Sequence, residues 1–192
     1  MRPGGFSISM NARDKGGSVL DNMWQFVRYG KAAWTPTILA RDALAKGYDF
    51  EKAKSVLTST RLANGCYYVL GDGSKPHSGA VISRNRPDAD DIWPLGSVSA
   101  EHPNTTIDVQ PDWFRLQTNF EHWEVAPSWD NRRDPGVAHL KAIGGPENAT
   151  WDAVHRVITA WPTKSQFTDV TSIMMPANGS IWTVVWYPAE SA

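Results

Sequence analysis

The stretch RLQTNFEHWEVAPSWDNRR, residues 115–133, combines an amide and a guanidinium group at a spacing that suits charge stabilisation. A β-strand predicted over 113–120 brings Asn119 near its end, where the carboxamide can donate two N–H bonds to one oxygen. Arg132 follows thirteen residues later. An oxygen that gains negative charge in a reaction needs such donors, so the two residues are candidates for an oxyanion site.

Each candidate also has a plain structural interpretation, and spacing alone leaves both interpretations open. An Asn at the end of a strand can close that strand by bonding to its own backbone. Arg132 can pair with Asp130 or Asp134 on the surface, where such ion pairs contribute little to stability.

The remaining reactive side chains do not form a recognisable site. Cys66 is the only cysteine and lies in an apolar run without a basic neighbour to lower its pKa, so we expect a buried structural thiol. None of the histidines has the spacing of a zinc motif. They are His77, His102, His122, His139 and His155. The sequence therefore predicts no metal site and no cofactor, and it assigns most of the ten tryptophans to the core.

Composition limits the chain to an ordinary globular class. At 192 residues it is long enough for one domain with a real core, so we predict a single domain over 1–192. Its 19 basic and 20 acidic residues give a net charge of -1 without any basic run. This balance argues against a nucleic-acid partner.

Two signals on the cellular compartment disagree. The sequence has no apolar run of membrane-helix length, and its first residues lack the apolar core of a signal peptide, which favours the cytosol. Three N-x-S/T sequons, which matter only in the secretory pathway, favour a secreted or lysosomal protein. These candidate glycosylation sites are Asn104, Asn148 and Asn178.

Hydrophobic periodicity predicts helices and strands in successive blocks. Helical spacing and capping residues indicate helices over 19–27, 36–46, 50–57, 136–143 and 151–161. Alternation indicates strands over 6–10, 66–70, 80–83, 113–120, 169–175 and 181–186, with a surface excursion over 97–112. This order predicts an α+β fold in which helices are layered on antiparallel sheets.

Five blocks of sequence, in order from about residue 6 to residue 175, carry a resemblance to a known family. They are SMNARDKGG, GCYYVLGDG, AVISRNRPDADDIWPL, RLQTNFEHW and SWDNRR. Together they resemble the C-terminal catalytic portion of the acid ceramidase and N-acylethanolamine-hydrolysing acid amidase family. These enzymes are choloylglycine-hydrolase-like N-terminal-nucleophile hydrolases.

The resemblance implies a fold, a reaction and two residue roles. The fold is an αββα sandwich, of which this chain would form an incomplete part. The reaction is hydrolysis of an N-acylated lipid, such as a ceramide or an N-acylethanolamine, by an N-terminal cysteine that carries its own base. By match to the family's motifs, Asn119 stabilises the tetrahedral oxyanion, and Arg132 holds the charges and polar groups of the site in place.

The sequence departs from the family pattern in two places. The family's nucleophilic cysteine lies upstream of the first residue, and Cys66 falls where the family has an ordinary strand residue. Ala12 replaces a carboxylate that the family uses near the nucleophile. We therefore expect this chain to be inactive alone and to need a nucleophile-bearing N-terminal segment. The alternative is a non-catalytic relative that binds lipid or another ligand.

The resemblance also bears on partners and location. It implies an N-acyl lipid substrate and a lysosomal or secreted protein. The helix predicted over 19–27 has an apolar face that includes Trp24. This face either meets an acyl chain at a membrane surface or covers the sheet.

Overall fold

The structure, a computed structural model, describes residues 1–13, 15 and 18–187 of the chain. Its main sheet has four antiparallel strands in sequential order, β1 to β4. They are β1 (Phe6–Ala12), β2 (Cys66–Asp72), β3 (Gly79–Arg84) and β4 (Ala89–Pro94). Ala12 at the end of β1 pairs with Cys66 of β2, which pairs in turn with Arg84 of β3. This end of the sheet carries the candidate site described below.

Two helices cover one face of the sheet. α2 (Pro36–Ala45) begins at Thr35, whose side chain accepts from the Ile38 amide, and α3 (Phe50–Ser59) begins at Asp49, whose carboxylate accepts from the Lys52 amide. Their apolar faces pack against the sheet in one cluster. Its fully buried members include Phe6, Leu39, Leu57, Cys66, Tyr68 and Ile82. Burial of this apolar surface is the main contribution to the stability of the layer.

The carboxyl end of α3 is held by a buried arginine. The Arg84 guanidinium donates to the carbonyl oxygens of Leu57 at 2.6 Å and Thr60 at 2.5 Å, and also to that of Thr58. A cation at this end of a helix satisfies carbonyls that have no partner within the helix and opposes their partial negative charge. Burial lowers the pKa of Arg84 from its ordinary value.

α1 (Val19–Tyr29) leaves its apolar side chains in solvent. Five of them are more than half exposed. They are Val19, Leu20, Met23, Trp24 and Val27. The helix therefore does not cover the sheet with this face, and the second of the two interpretations of its sequence is wrong.

The second half of the chain contains two helices followed by a hairpin. α4 (Arg133–Ala142) and α5 (Trp151–Thr159) precede β5 (Val170–Met175) and β6 (Ser180–Val185), which form a two-stranded antiparallel sheet. The hairpin is tied to the start of the chain because the Gly4 amide donates to Pro176 at 2.7 Å. Gly73 is needed nearby, since a Cβ there would lie 2.9 Å from the Pro176 carbonyl.

Two predictions about the sheet and the core are wrong. Residues 113–120 form no strand, and the fourth strand is β4 instead. The 113–120 segment is irregular because side chains take its hydrogen bonds: Gln110 Oε1 accepts from the Leu116 amide at 2.7 Å, and Gln110 Nε2 donates to the Leu116 carbonyl at 3.0 Å. Several tryptophans are also outside the core. The most exposed are Trp24, Trp129 and Trp161.

Candidate active site

Three consecutive residues at the end of β1 hold the segment that carries Asn119. The Asn11 side chain donates to the carbonyl oxygen of Gln117 at 2.8 Å. The carbonyl of Ala12 accepts from the side-chain NH2 group of Asn119 at 2.8 Å, and Arg13 Nε donates to Glu121 Oε1 at 2.6 Å. Asn119 thus lies in a loop that is fixed to the sheet end, rather than at the end of a strand.

Asn119 and Arg132 are in direct contact. An Arg132 NH2 group donates to Asn119 Oδ1 at 2.6 Å. A guanidinium has only donors, so it can face the oxygen of the carboxamide but not the nitrogen. The Asn119 NH2 group is therefore directed away from Arg132, and one of its two hydrogens bonds to Ala12. Within the described part of the chain the second hydrogen has no acceptor.

Of the two structural interpretations, the ion pair of Arg132 with Asp130 is confirmed and the bond of Asn119 to its own backbone is wrong. Arg132 does pair with Asp130, at 2.5 Å and 2.8 Å, while Asp134 accepts from Asn131 instead. Asn119 does not bond to its own backbone, because its partner Ala12 lies 107 residues earlier in the chain. The bidentate contact with Asp130 fixes the plane of the guanidinium and thereby its aim at Asn119.

Behind Asn119 lies a buried charged cluster centred on Arg13. The Arg13 guanidinium contacts the carboxylates of Glu121 and Asp90 and donates to Asn85 Oδ1 at 2.8 Å. Burial lowers the pKa of Arg13, but the hydrogen bonds to Glu121 and Asp90 outweigh it and leave the pKa raised. From the other side, Arg133 donates to the Glu121 carbonyl at 2.9 Å. The backbone just after Asn119 is therefore held by charge-assisted bonds on both sides.

His122 continues this buried segment as an uncharged ring. It is 1% exposed and stacks on Trp93, with 4.0 Å between ring centroids. Burial lowers the pKa of His122 to about 4, although Asp91 lies 3.8 Å away and opposes the shift. Asp108 is buried on the far side of Arg133, and burial raises its pKa to about 6.

Cys66 is buried within the core, as its sequence context predicts. Burial raises the pKa of the Cys66 thiol to about 12, so little thiolate forms near neutral pH. The side chain lies on the helix-covered face of the sheet, among Phe6 and Leu57. It is therefore unsuited to attack a substrate that contacts Asn119.

A large apolar cavity begins beside the same loop. Its volume is about 810 Å³, and it lies between the sheet and helices α4 and α5. Gln117, two residues before Asn119, lines it. The other lining residues include Ser9, Val69, Leu116 and Ile158, together with the charged Asp72, Lys75 and Arg115. A cavity of this size and character can hold an apolar chain.

The described residues contain no group of three or more His, Cys, Asp or Glu side chains suited to a metal ion. Among the helices of the described chain, none is long and apolar enough to cross a membrane. The three sequon residues are all exposed: Asn104 in the excursion after β4, Asn148 before α5, and Asn178 in the hairpin turn.

Sequence reasoning missed the residues that fix Asn119 in place. They are Asn11, Arg13, Glu121 and Arg133. Their partners are more than a hundred residues apart for Asn11 and Arg13, so no local period could reveal them. The available signal was charge: Arg13 follows a strand that alternates apolar and polar residues, and Glu121 interrupts an aromatic run.

Comparison with known proteins identifies the class of fold. A solved structure of the Caenorhabditis elegans N-acylethanolamine-hydrolyzing acid amidase ortholog superposes with a TM-score of 0.70 at 25% identity, covering 95% of this chain and 74% of that one. The antiparallel sheet with its covering helices therefore has the N-terminal-nucleophile hydrolase fold. No protein-family model matches the sequence.

Sequence relatives identify a narrower group of proteins within this fold class. The rat N-acylethanolamine-hydrolyzing acid amidase is 33% identical over 177 residues, which are 91% of this chain and 44% of the relative. An acid ceramidase from Heterocephalus glaber is 29% identical over 174 residues, 90% of this chain and 40% of the relative. About nine tenths of the chain is homologous to the acid amidases and acid ceramidases. The chain spans less than half of the length of these relatives.

Proposed function

We propose that this chain forms the oxyanion-stabilising part of a lipid amide hydrolase. The observation that carries the proposal is the contact between Arg132 and Asn119, which orients the carboxamide and leaves one of its N–H groups without an acceptor among the described residues. Support comes from the homologues, which are named as an acid amidase and an acid ceramidase.

In this proposal the substrate carbonyl oxygen lies against the free N–H of Asn119. Attack on the carbonyl carbon moves negative charge to that oxygen, and the fixed amide dipole stabilises it without having to reorient. Arg132 acts through Asn119 as a positioning residue, since its guanidinium contacts Asp130 and Asn119. The acyl chain enters the cavity that begins at Gln117.

The attacking group comes from outside these 192 residues. Cys66 is the only cysteine of the sequence, and it is buried on the opposite face of the sheet. We therefore assign the nucleophile to a further segment of polypeptide that docks near Ala12 and Asn119. The products are a fatty acid and an amine, from a ceramide or an N-acylethanolamine.

The test compares Asn119→Asp with the unchanged chain, each combined with a nucleophile-bearing segment and assayed for hydrolysis of an N-acyl amide. Aspartate keeps the shape of the side chain and the contact with Arg132, but it removes both N–H donors. Loss of one oxyanion donor costs about 3 kcal/mol, and the aspartate charge also repels the developing oxyanion, so turnover should fall by at least about a hundredfold. Turnover within threefold of the unchanged enzyme would remove Asn119 from the mechanism.

The alternative is a non-catalytic relative that binds lipid through the same cavity. Ala12 favours it, because a methyl group stands where the family pattern has a carboxylate. Calorimetry with an N-acylethanolamine separates the two functions. Binding without turnover, after a nucleophile-bearing segment has been supplied, would establish the alternative.

The proposal also covers the cellular compartment and the exposed face of α1. We assign the protein to the lysosome or the secretory pathway, where the exposed Asn104, Asn148 and Asn178 can carry glycans. Exposed α1 makes peripheral contact with a membrane that supplies the lipid. Mass spectrometry of the native protein checks the first assignment, since three unoccupied sequons would contradict it.

A further inference from the structure

A basic groove opens between α1 and the turn that joins β3 to β4. Its volume is about 400 Å³, within the range of small-molecule pockets. The polar side chains that line it are Lys15, Gln25, Tyr29, Arg61, Asn85 and Arg86. None of the described residues that line this groove carries a carboxylate.

The arginines of the groove are fixed in place by neutral partners. The Arg61 guanidinium stacks over Tyr29 at 4.4 Å from the ring centroid, and Arg28 approaches the same ring at 5.4 Å. Arg86 donates to the Ala63 carbonyl at 3.2 Å and to Asn22 Oδ1 at 2.8 Å. Guanidinium groups held in this way are already oriented for an anion, so binding costs less side-chain entropy.

The positive charge of the groove is only partly balanced. Lys15 pairs with Glu124, but within the described part of the chain no carboxylate forms an ion pair with Arg61 or Arg86. Asp21 interacts electrostatically with Arg86 and offsets part of its charge, but it does not form an ion pair with it in the described part of the chain. The groove therefore has a net attraction for an anion.

The groove lies next to the candidate active site. Successive residues of β1 and of the segment after it contact three regions in turn. Ser9 lines the apolar cavity, Ala12 accepts from Asn119, and Lys15 lines the groove. Asn85 belongs to both regions, because it lines the groove and accepts from Arg13. An amide held at Asn119 with its acyl chain in the cavity would direct its amine part toward the groove.

We propose that the groove receives the acidic group of an N-acyl amide whose amine part carries a carboxylate, such as an N-acyl amino acid. This inference rests on the proposed function and specifies its substrate class. It assigns Arg61 and Arg86 to substrate selection and leaves the chemical step to Asn119. Neutral amides would bind through the acyl chain alone.

Calorimetry on the 192-residue chain tests the inference, with N-octanoylglycine and N-octanoylethanolamine as probes that share one acyl chain. The glycine compound should bind about tenfold more tightly, the effect of one charge-assisted hydrogen bond, and the difference should shrink as salt is added. Arg61→Gln should remove most of the difference, while Arg61→Lys should keep part of it. The matched control is Arg41→Gln, an exposed arginine of α2 outside the groove.

Several outcomes would overturn the inference. They are equal affinity for the two probes, equal losses for Arg61→Gln and Arg41→Gln, and inorganic phosphate binding as tightly as N-octanoylglycine. Binding confined to vesicles that contain phosphatidylglycerol would assign the groove to a membrane surface and would also overturn it. Because these measurements need no turnover, their failure is separate from that of the Asn119→Asp test.

Discussion

At the scale of single residues, the carboxamide of Asn119 is useful because a second residue removes its freedom to flip. An unconstrained amide could present either its oxygen or its nitrogen to a substrate, and only the nitrogen can stabilise an anion. Arg132 contacts the oxygen and Ala12 accepts from the nitrogen, so both neighbours favour the same orientation. The sequence singled out Asn119 and Arg132, and the structure brings them together.

The first prediction concerns this orientation. Arg132→Gln can present its own NH2 or its oxygen to Asn119, so the carboxamide loses its single orientation. Because small losses of alignment are costly, we expect turnover of the complete enzyme to fall about a hundredfold. Arg132→Lys keeps a donor but loses the bidentate contact with Asp130, and we expect an intermediate value. Full turnover in Arg132→Gln, measured with an N-acyl amide, would contradict the role.

A second prediction concerns the buried pair of Arg13 and Glu121, whose side chains are 2% and 3% exposed. Removal of Glu121 leaves the buried Arg13 with one carboxylate partner, the partly exposed Asp90, so Glu121→Ala should lower the free energy of unfolding by about 3 kcal/mol. Glu124→Ala is the matched control, because its exposed pair with Lys15 should contribute at most about 1 kcal/mol. Urea denaturation measures both, and equal losses would show that burial of the pair does not matter.

At the scale of elements, local signals predicted what local interactions decide. The caps Thr35, Asp49 and Thr150 begin helices as expected, and the turn before Ser180 joins the expected hairpin. The sequence did not reveal β4, because it begins with Ala and two Asp residues that disfavour strands. Asp91 is tolerated there only because Ser99 and the Glu101 amide bond to its carboxylate.

The false strand over 113–120 has the opposite cause. Its sequence has strand propensity, but Arg115 donates to the carbonyls of Pro94 at 3.1 Å and Ser97 at 2.7 Å and holds the segment against the edge of the sheet. The contacts between the end of β1 and Asn119 were beyond prediction for a similar reason. They depend on tertiary packing across a long separation, which hydrophobic periodicity does not encode.

A third prediction follows from the exposed face of α1. Vesicles that carry brominated acyl chains should quench the fluorescence of Trp24, because an amphipathic helix buries its apolar face in the membrane interface. Trp24→Phe should remove most of the quenching. Trp161→Phe is the control, since Trp161 is similarly exposed but lies after α5. Quenching that survives Trp24→Phe and is lost in Trp161→Phe would assign membrane contact to another surface.

At the scale of the whole molecule, two buried groups make opposite contributions to the dependence of stability on pH. The pKa of His122 is lowered from 6.5 to about 4, so the unfolded chain binds the proton more tightly and stability falls as pH drops from 6.5 to 4. The pKa of Asp108 is raised from 3.8 to about 6, so stability falls as pH rises through that window. The two contributions offset each other in mildly acidic solution.

A fourth prediction tests this balance. His122→Phe keeps the stack on Trp93 and removes the histidine contribution, so the contribution of Asp108 remains. The free energy of unfolding of this variant should fall by up to about 3 kcal/mol as pH rises from about 4 to about 6. Asp108→Asn should show the reverse slope, with stability rising over the same range. Urea midpoints at pH 4, 5 and 6 measure both. Identical slopes in the two variants would show that neither buried group governs the pH dependence.

The long separation between Ala12 and Asn119 also has a consequence during synthesis. The two residues are 107 positions apart, and ribosomes add about 5–20 residues per second, so about 5–20 s pass between the two additions. During that interval β2, β3 and β4 can begin to pair because their partners are close in the chain, whereas β1 pairs with β2 across a long separation, Ala12 with Cys66 and Phe6 with Asp72. The last strand of the sheet ends at Pro94, 25 positions before Asn119, so its synthesis is complete only about 1–5 s before the carboxamide that would meet a substrate has been made.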